Sequence, residues 1–182
     1  GAWGGRASKD GIEGVTNPSQ NMSNMPIETL ESRYPIRVET YGLREDSCGP
    51  GEHRGGLGLV RQYRLLADDA VLQLRADRAK IPPYGLRGGG PAAPSRNILD
   101  PDGRAEEVPS KITRNVRKGD VIRHEQAGGG GYGDPLIRDP DLVAVDVADE
   151  KISRKFAEEN FGVVIQPGEA QPDLAATEVC RA

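Results

Sequence analysis

The stretch most able to do chemistry is residues 46–58 (DSCGPGEHRGGLG), in which glycines separate a carboxylate, a thiol, an imidazole and a guanidinium. Glycine permits positive φ and close backbone approach, so main-chain N–H groups and the Arg54 guanidinium could converge on an anion. Cys48 and His53 could also pair as nucleophile and base, but a catalytic thiol needs a lowered pKa and an oriented base, which proximity alone does not supply. We therefore interpret Cys48 as an inert thiol. The alternative for the whole stretch is a tight turn between two strands.

Two further glycine clusters are residues 82–91 (PPYGLRGGGP) and 128–135 (GGGGYGDP). The first does not end in Gly-Lys-Ser/Thr and precedes no helix pattern, so it lacks the ammonium and the helix N-terminus of a phosphate-binding loop. The four consecutive glycines of the second carry a large ordering cost, which a solvent-exposed turn would hardly require. We expect residues 128–131 to be packed or to face a site.

Histidine spacing gives no support for a metal centre in this chain. The only histidines, His53 and His124, are far apart, and neither has a second His or Cys at ligand spacing. We expect both to be structural, with a site around His53 completed by other parts of the fold as the alternative. No metal ligand is predicted.

Composition restricts the partners and the compartment. The formal net charge is −4 and no basic run or aromatic–basic repeat occurs, which argues against nucleic acid. No apolar run approaches the roughly 18 residues of a membrane span and no signal segment opens the chain, so we expect a cytoplasmic protein with no membrane partner. The two cysteines do not form a disulfide framework. The chain begins without Met, and we expect it to be a fragment of a larger assembly.

Alternating apolar residues predict an α+β fold that is predominantly antiparallel β with Gly-rich loops, one short N-terminal helix and two short C-terminal helices. The first strand begins at Ile36. Three strand pairs are predicted after it: residues 57–66 with 70–77, 97–99 with 104–108, and 112–116 with 120–126. The arginines in and just after the first pair could gather to bind phosphate or carboxylate, or could lie on a solvated sheet face: Arg61, Arg64, Arg75 and Arg78.

Helix signals and polarity divide the chain into three parts. Residues 1–24 are predicted to be an irregular polar arm, because neither alternation nor a helical period occurs there. Residues 25–165 form the predicted domain, whose later helices are capped by Asp139 and Ser153. The polar residues 166–182 are predicted to be a disordered tail.

Four blocks, taken in order, resemble the C-terminal part of the hydantoinase B family over nearly the whole chain. They are NMSNMPIE (residues 21–28), DSCGPG with RGGLG (46–51 and 54–58), GGGGYGDP (128–135) and FGVV (161–164). The family includes the B component of N-methylhydantoinase, the matching half of 5-oxoprolinase, and components of ATP-dependent acetone and acetophenone carboxylases.

The resemblance implies a two-component enzyme. A hydantoinase A-type partner binds ATP and Mg and phosphorylates an amide or carbonyl oxygen, and the B component completes the reaction. For a cyclic amide that step is hydrolysis of the activated ring, and for a ketone it is carbon–carbon bond formation with activated bicarbonate. The resemblance places the principal catalytic groups and a divalent metal in the N-terminal part of the B component, so no catalytic residue is assigned to this chain.

The matching blocks also suggest residues near the site. Asn21 and Asn24 could orient a ring amide, and Arg54 could hold phosphate or carboxylate bidentately. The full set of candidate substrate-binding residues is Asn21, Asn24, Glu28, Asp46, Arg54, Gly128, Gly129, Gly130 and Gly131. The leading interpretation is the C-terminal part of the B component of an ATP-dependent cyclic-amide hydrolase, inactive alone. The alternatives are a structural module that docks subunits, and part of an acetone- or acetophenone-type carboxylase.

Overall fold

The computed structural model describes residues 1–16 and 23–182, in which seven strands form two sheets and four segments form α-helices. The strands are β1 (Ile36–Leu43), β2 (Leu59–Leu65), β3 (Asp69–Arg75), β4 (Arg96–Leu99), β5 (Glu106–Glu107), β6 (Lys111–Arg117) and β7 (Val121–Glu125). The helices are α1 (Ile27–Arg33), α2 (Pro140–Ala148), α3 (Arg154–Phe161) and α4 (Leu174–Arg181), and a 3₁₀ turn covers Pro135–Ile137. One sheet has the order β1-β2-β7-β4-β5, the other pairs β3 with β6, and all these pairs are antiparallel. The predicted α+β class is confirmed.

Strands β2 and β3 follow each other along one side of a bent, two-stranded antiparallel ribbon. Strands β6 and β7 follow each other along its other side. β2 pairs with β7 and β3 pairs with β6 in nearly continuous register. At the bend, Leu65 N–H donates to Asp120 O and Gly119 N–H donates to Leu65 O, both at 2.9 Å. Gly119 has φ 93°, a value that glycine adopts without steric cost because it has no Cβ. The ribbon therefore bends from the five-stranded sheet into the two-stranded sheet, and neither of its chain segments turns back on itself at the bend.

Two of the three predicted strand pairs are wrong for this reason. Residues 57–66 do not pair with 70–77, and 112–116 do not pair with 120–126, because each short connection is a bend between sheets. Turn-forming residues mark a change of direction but not its angle, so local sequence could not separate a bend from a reversal. The third pair is confirmed by the antiparallel pairing of β4 with β5.

The hydrophobic core joins residues 46–58 to the C-terminal helices. Cys48 and Leu57 are almost fully buried and belong to one cluster with Val143, Phe161 and Val163. Full burial of a large apolar side chain contributes roughly 1.5–3 kcal/mol. The glycine-rich stretch is therefore anchored by its own apolar residues.

The ends of the C-terminal helices follow the sequence signals. The side chains of Asp139 and Ser153 accept backbone hydrogen bonds at the starts of α2 and α3, as predicted. Gly162 ends α3 in the left-handed region at φ 62°. None of the helices in the described ranges is long and apolar enough to cross a bilayer.

The segment after Ile165 corrects a prediction, because α4 lies within the tail that was expected to be disordered. Thr177 is buried and its Oγ1 accepts from Val164 N–H at 3.1 Å, and Arg181 Nη2 donates to Arg138 O at 2.7 Å. These contacts join polar side chains to backbone atoms, so no apolar pattern in the sequence indicated them. The division between residues 1–24 and 25–165 stays a prediction.

Candidate functional site

Three glycine-rich segments meet in one junction of backbone hydrogen bonds. They are loop 1 (residues 46–58), loop 2 (82–91) and loop 3 (128–135). Gly49 N–H donates to Gly129 O at 2.8 Å, which joins loop 1 to loop 3, and Gly131 N–H donates to Gly90 O at 3.0 Å, which joins loop 3 to loop 2. Gly5 of the N-terminal arm also donates to loop 3, at 2.8 Å. The junction therefore fixes all three loops and the arm against one another.

The junction contains glycines because its backbone segments lie too close together for a Cβ, and not because its loops need to be flexible. A Cβ on Gly55 would overlap the carbonyl oxygen of Gly129, and a Cβ on Gly131 would overlap that of Pro50. Both obstacles are backbone atoms, which cannot rotate away as a side chain could. Residues 128–131 are all buried, which agrees with the expectation that they are packed.

A cavity of about 780 Å³ lies against loop 3. Its walls come from the arm, loops 2 and 3, β4, β7 and the end of β3 with the segment after it. The polar side chains that line it are Gln73, Arg75, Asp77, Arg78, Tyr84, Ser95, Asn97, His124 and Gln126. Cavities of roughly 300–1,000 Å³ are typical of small-molecule sites. The cavity is therefore large enough for a small ring substrate.

His124 and Asn97 form a hydrogen-bonded pair in the cavity wall. They lie opposite each other on β7 and β4, with His124 Nδ1 2.7 Å from Asn97 Oδ1. Because an amide oxygen only accepts, Nδ1 carries the proton and Nε2 carries the lone pair. Burial lowers the pKa of His124 and the charge of Arg61 lowers it further, so the ring is neutral at pH 7. Within the described ranges, Nε2 has no hydrogen-bond partner.

Three other polar groups of the wall are unpaired in the part of the chain that the structure describes. Gln126 Oε1 is buried without a hydrogen bond, and the guanidinium groups of Arg75 and Arg78 have neither a hydrogen bond nor an ion pair. Arg61 and Arg64 belong to the five-stranded sheet and have their own partners. The four arginines therefore do not gather, and only Arg75 and Arg78 border the cavity.

Away from the cavity, Arg54 and Arg138 form a buried charge network with three carboxylates. Arg54 Nη1 lies 2.7 Å from Glu13 and its Nε lies 2.9 Å from Asp146, while Arg138 lies 2.7 Å from Asp10 and 2.8 Å from Asp146. Burial alone would lower the pKa of Arg54, but the carboxylates of Asp146 and Glu13 raise it above its ordinary value. The network ties the N-terminal arm to loop 1 and α2.

The predicted site residues fall into different surroundings. Those that line the cavity are Gly128, Gly129, Gly130 and Gly131. Asn24 accepts a hydrogen bond from Arg61 Nη2 at 2.8 Å, and Arg61 lies opposite His124 in the sheet. Asn24 is therefore connected to the cavity wall only through Arg61. Glu28 is exposed on α1. Asn21 lies outside the described residues.

Asp46 and Arg54 have structural surroundings. Asp46, at φ 58°, accepts from Ser153 N–H and from Ser153 Oγ–H, both at 2.7 Å, and so holds the start of α3. Arg54 already binds protein carboxylates on both sides of its guanidinium. These contacts do not support the expected roles of the two residues in binding substrate or phosphate.

Sequence reasoning named Arg75 and Arg78 as possible anion ligands, but it did not select Asn97, His124 or Gln126. The period of two along a strand places His124 and Gln126 on one face, so that signal was present. The pairing of His124 with Asn97 depends on the register of β4 against β7, which local sequence does not reveal.

Cys48 has no nucleophilic character. Burial raises the pKa of its thiol to about 12, so the thiolate is not formed near neutral pH. In the described ranges, no group of three His, Cys, Asp or Glu side chains could hold a metal ion.

Residues 1–135, which carry both sheets and all three glycine loops, match the family model described as Hydantoinase B/oxoprolinase. The chain belongs to this family, and the resemblance predicted from the four sequence blocks is confirmed.

The relatives are much longer than this chain. The putative B-type polypeptide of a D-/L-hydantoinase from Pseudomonas sp. (strain NS671) is 38% identical over 172 residues, which cover 93% of this chain and 29% of that protein. The crystal structure of the ATP-dependent caprolactamase from Pseudomonas jessenii matches with a TM-score of 0.86 and 28% identity, over 99% of this chain and 32% of that chain. A nucleotide-free acetone carboxylase structure has the same fold, with a TM-score of 0.72 and 24% identity over 96% of this chain and 28% of that chain. The chain thus spans less than a third of each.

Proposed function

We propose that this chain is part of the B component of an ATP-dependent cyclic-amide hydrolase. In this proposal the cavity beside loop 3 holds the substrate after an A-type partner has phosphorylated it. The partner binds ATP and Mg, and the N-terminal part of the B component supplies any divalent metal. One observation carries the proposal: loop 3 of the family's pattern walls a cavity that is bordered by the guanidinium groups of Arg75 and Arg78, and neither group pairs with any of the described residues.

The chemistry explains why an anion site is needed there. Phosphorylation of an amide oxygen removes the resonance that protects the amide and supplies a leaving group, so water can attack the ring carbon. The activated ring carries phosphate, and guanidinium–phosphate hydrogen bonds are charge-assisted and strong. Arg75 and Arg78 therefore hold the phosphate at the cavity border, while loop 3 fixes the ring against the wall.

Turnover of the assembled complex tests the proposal. Arg75→Gln and Arg78→Gln are each expected to lower kcat/KM for ring opening about tenfold to a hundredfold, because a hydrogen bond to a charged group contributes roughly 1.5–3 kcal/mol. The substrates are 5-oxoproline, hydantoin and caprolactam, and the measurement is ATP-dependent phosphate release with product formation. Arg33→Gln, an identical change on exposed α1, is the matched control and should leave turnover unchanged.

Three outcomes would contradict the proposal. Unchanged kcat/KM in both cavity variants would show that the cavity does not hold the activated substrate. Loss of subunit assembly with either variant would favour the alternative, a structural module that docks subunits. In that alternative, backbone packing is a sufficient reason for the glycines of the junction. Product formation that requires bicarbonate would place the enzyme in the carboxylase branch.

A further inference from the structure

We propose that Ser95 is a positioning residue, which fixes the turn that carries Arg78 and so holds the Arg78 guanidinium at the border of the cavity. The inference rests on the proposed function in taking Arg78 as a ligand of the substrate phosphate. It adds the residue that places this ligand, and that residue need not touch the phosphate itself.

Ser95 holds two consecutive backbone carbonyls. It lies just before β4 and is only 4% exposed. Its N–H donates to Arg78 O at 3.1 Å, and its Oγ–H donates to Asp77 O at 2.5 Å. Asp77 and Arg78 are themselves exposed, so the turn that they form is held from its buried side by Ser95.

The two hydrogen bonds depend on the unusual backbone of Arg78. In an extended chain consecutive carbonyls point in opposite directions, so those of Asp77 and Arg78 would face away from each other. Arg78 has φ 63°, in the left-handed region, and this rotation at its Cα lets both carbonyls meet Ser95. A left-handed residue other than glycine is strained and persists only where its surroundings fix it. Ser95 provides that restraint.

The same backbone conformation affects the direction of the Arg78 side chain. The period of two along β3 places Gln73 and Arg75 on one face of the ribbon, and an extended continuation would place Arg78 on the other face, with Leu74. The left-handed conformation interrupts this alternation at Arg78. We therefore attribute to this turn the presence of both guanidinium groups at the border of one cavity.

Ser95 is itself tied to the junction of the glycine-rich loops. Two residues before it, Ala93 N–H donates to Ser47 O of loop 1 at 3.0 Å, and Ala93 O accepts from Gly128 N–H of loop 3 at 3.3 Å. The segment from Ala93 to Ser95 therefore connects loop 3, which walls the cavity, to the turn that carries Arg78. A phosphate ligand held in this way keeps its position relative to the wall, and catalysis depends on such fixed geometry.

A double-mutant cycle of Ser95→Ala and Arg78→Gln in the assembled complex tests the inference. Ser95→Ala alone should lower kcat/KM for ring opening about tenfold, because Asp77 O loses its donor and the turn that holds Arg78 is released. In the Arg78→Gln background the same change should cost less than about twofold, since the side chain that Ser95 positions is already gone. A residue with only a general structural role would give the same loss in both backgrounds.

Two further variants separate positioning from stability. Ser95→Thr keeps the hydroxyl and should recover most of the activity that Ser95→Ala loses. Ser153→Ala removes a different hydroxyl, which caps α3 and bonds Asp46 away from the cavity. It should lower stability and leave kcat/KM unchanged, so it controls for the loss of stability alone.

Crystal structures of the full-length B component, wild type and Ser95→Ala, give a readout that does not depend on turnover. In the variant, Arg78 should leave the left-handed region or its guanidinium should move away from the cavity border. An Arg78 that keeps its wild-type position in the Ser95→Ala structure would overturn the inference. Losses that add fully in the double variant would also overturn it.

The two proposals can fail separately. If neither Arg75→Gln nor Arg78→Gln lowers turnover, the proposed function is wrong, and the position of Arg78 in the Ser95→Ala structure still decides whether Ser95 holds the turn. If Arg78→Gln lowers turnover and Ser95→Ala does not, the proposed function stands and Ser95 is not a positioning residue.

Discussion

The side chain of Arg54 forms ion pairs within the protein. Its guanidinium is buried between Glu13 and Asp146. We expect Arg54→Ala to lower the free energy of unfolding by about 3 kcal/mol or more, because removing one partner of a buried ion pair leaves the other uncompensated. Equilibrium urea unfolding measures this loss.

An exposed ion pair supplies the control for Arg54→Ala. Arg64 pairs with Glu39 at a partly exposed position, so Arg64→Ala should cost only about 0–1 kcal/mol. If Arg54→Ala unfolds at the wild-type urea concentration but the complex loses turnover, Arg54 binds substrate and the structural interpretation is wrong.

At the level of the elements, the loop junction depends on glycines that touch backbone. Gly131→Ala should lower the free energy of unfolding by about 3 kcal/mol or more, because its Cβ would overlap Pro50 O and the packed loops cannot separate without losing their hydrogen bonds. Gly42 in β1 has open space around its Cβ position and no positive φ, so Gly42→Ala should change stability by less than about 1 kcal/mol. Thermal unfolding of both variants compares them directly, and equal melting temperatures would contradict the role given to the junction.

Strand positions could be predicted from local sequence better than strand partners could. Alternation located the strands from β1 to β7, and cap residues located α2 and α3, because these signals lie within a few residues of one another. The bend at Gly119 and the pairing of His124 with Asn97 depend on register between distant segments, which alternation does not specify. The glycines of loop 3 were selected as unusual from sequence alone, but the reason for them, contact with carbonyls of the N-terminal arm and of loops 1 and 2, required the fold.

For the whole molecule, the buried charge network of Arg54 and Arg138 makes the attachment of the N-terminal arm depend on pH. Burial alone would raise the pKa of Asp10, but the hydrogen bond and charge of Arg138 lower it below its ordinary value. A carboxyl whose pKa is lowered in the folded state stabilises the fold above the unfolded pKa of about 3.9, and this contribution is lost as the pH falls through the lower folded value. We therefore expect the arm to stay attached from neutral pH down to about pH 4 and to loosen below it.

Limited hydrogen exchange of residues 1–16 between pH 3 and pH 7, corrected for the intrinsic exchange rate, measures arm attachment. Asp10→Asn removes the charge and should abolish the acid-dependent step while weakening the arm at all pH values. Loosening of the wild-type arm already near pH 6 would contradict the assignment to Asp10.

The bent ribbon also determines which contacts can form early in folding. β4 and β5 are joined by a short turn, and β1 and β2 are joined by loop 1. In contrast, the strands that pair in the ribbon, β2 with β7 and β3 with β6, are separated along the chain by loop 2, β4 and β5. Closing a longer stretch of chain costs more entropy before any pairing is gained, and folds dominated by such distant contacts form slowly. We therefore expect the two local pairs to precede the ribbon. Because β7 supplies His124 and the end of β3 supplies Arg75, a chain whose ribbon is still open has much of its secondary structure but no cavity.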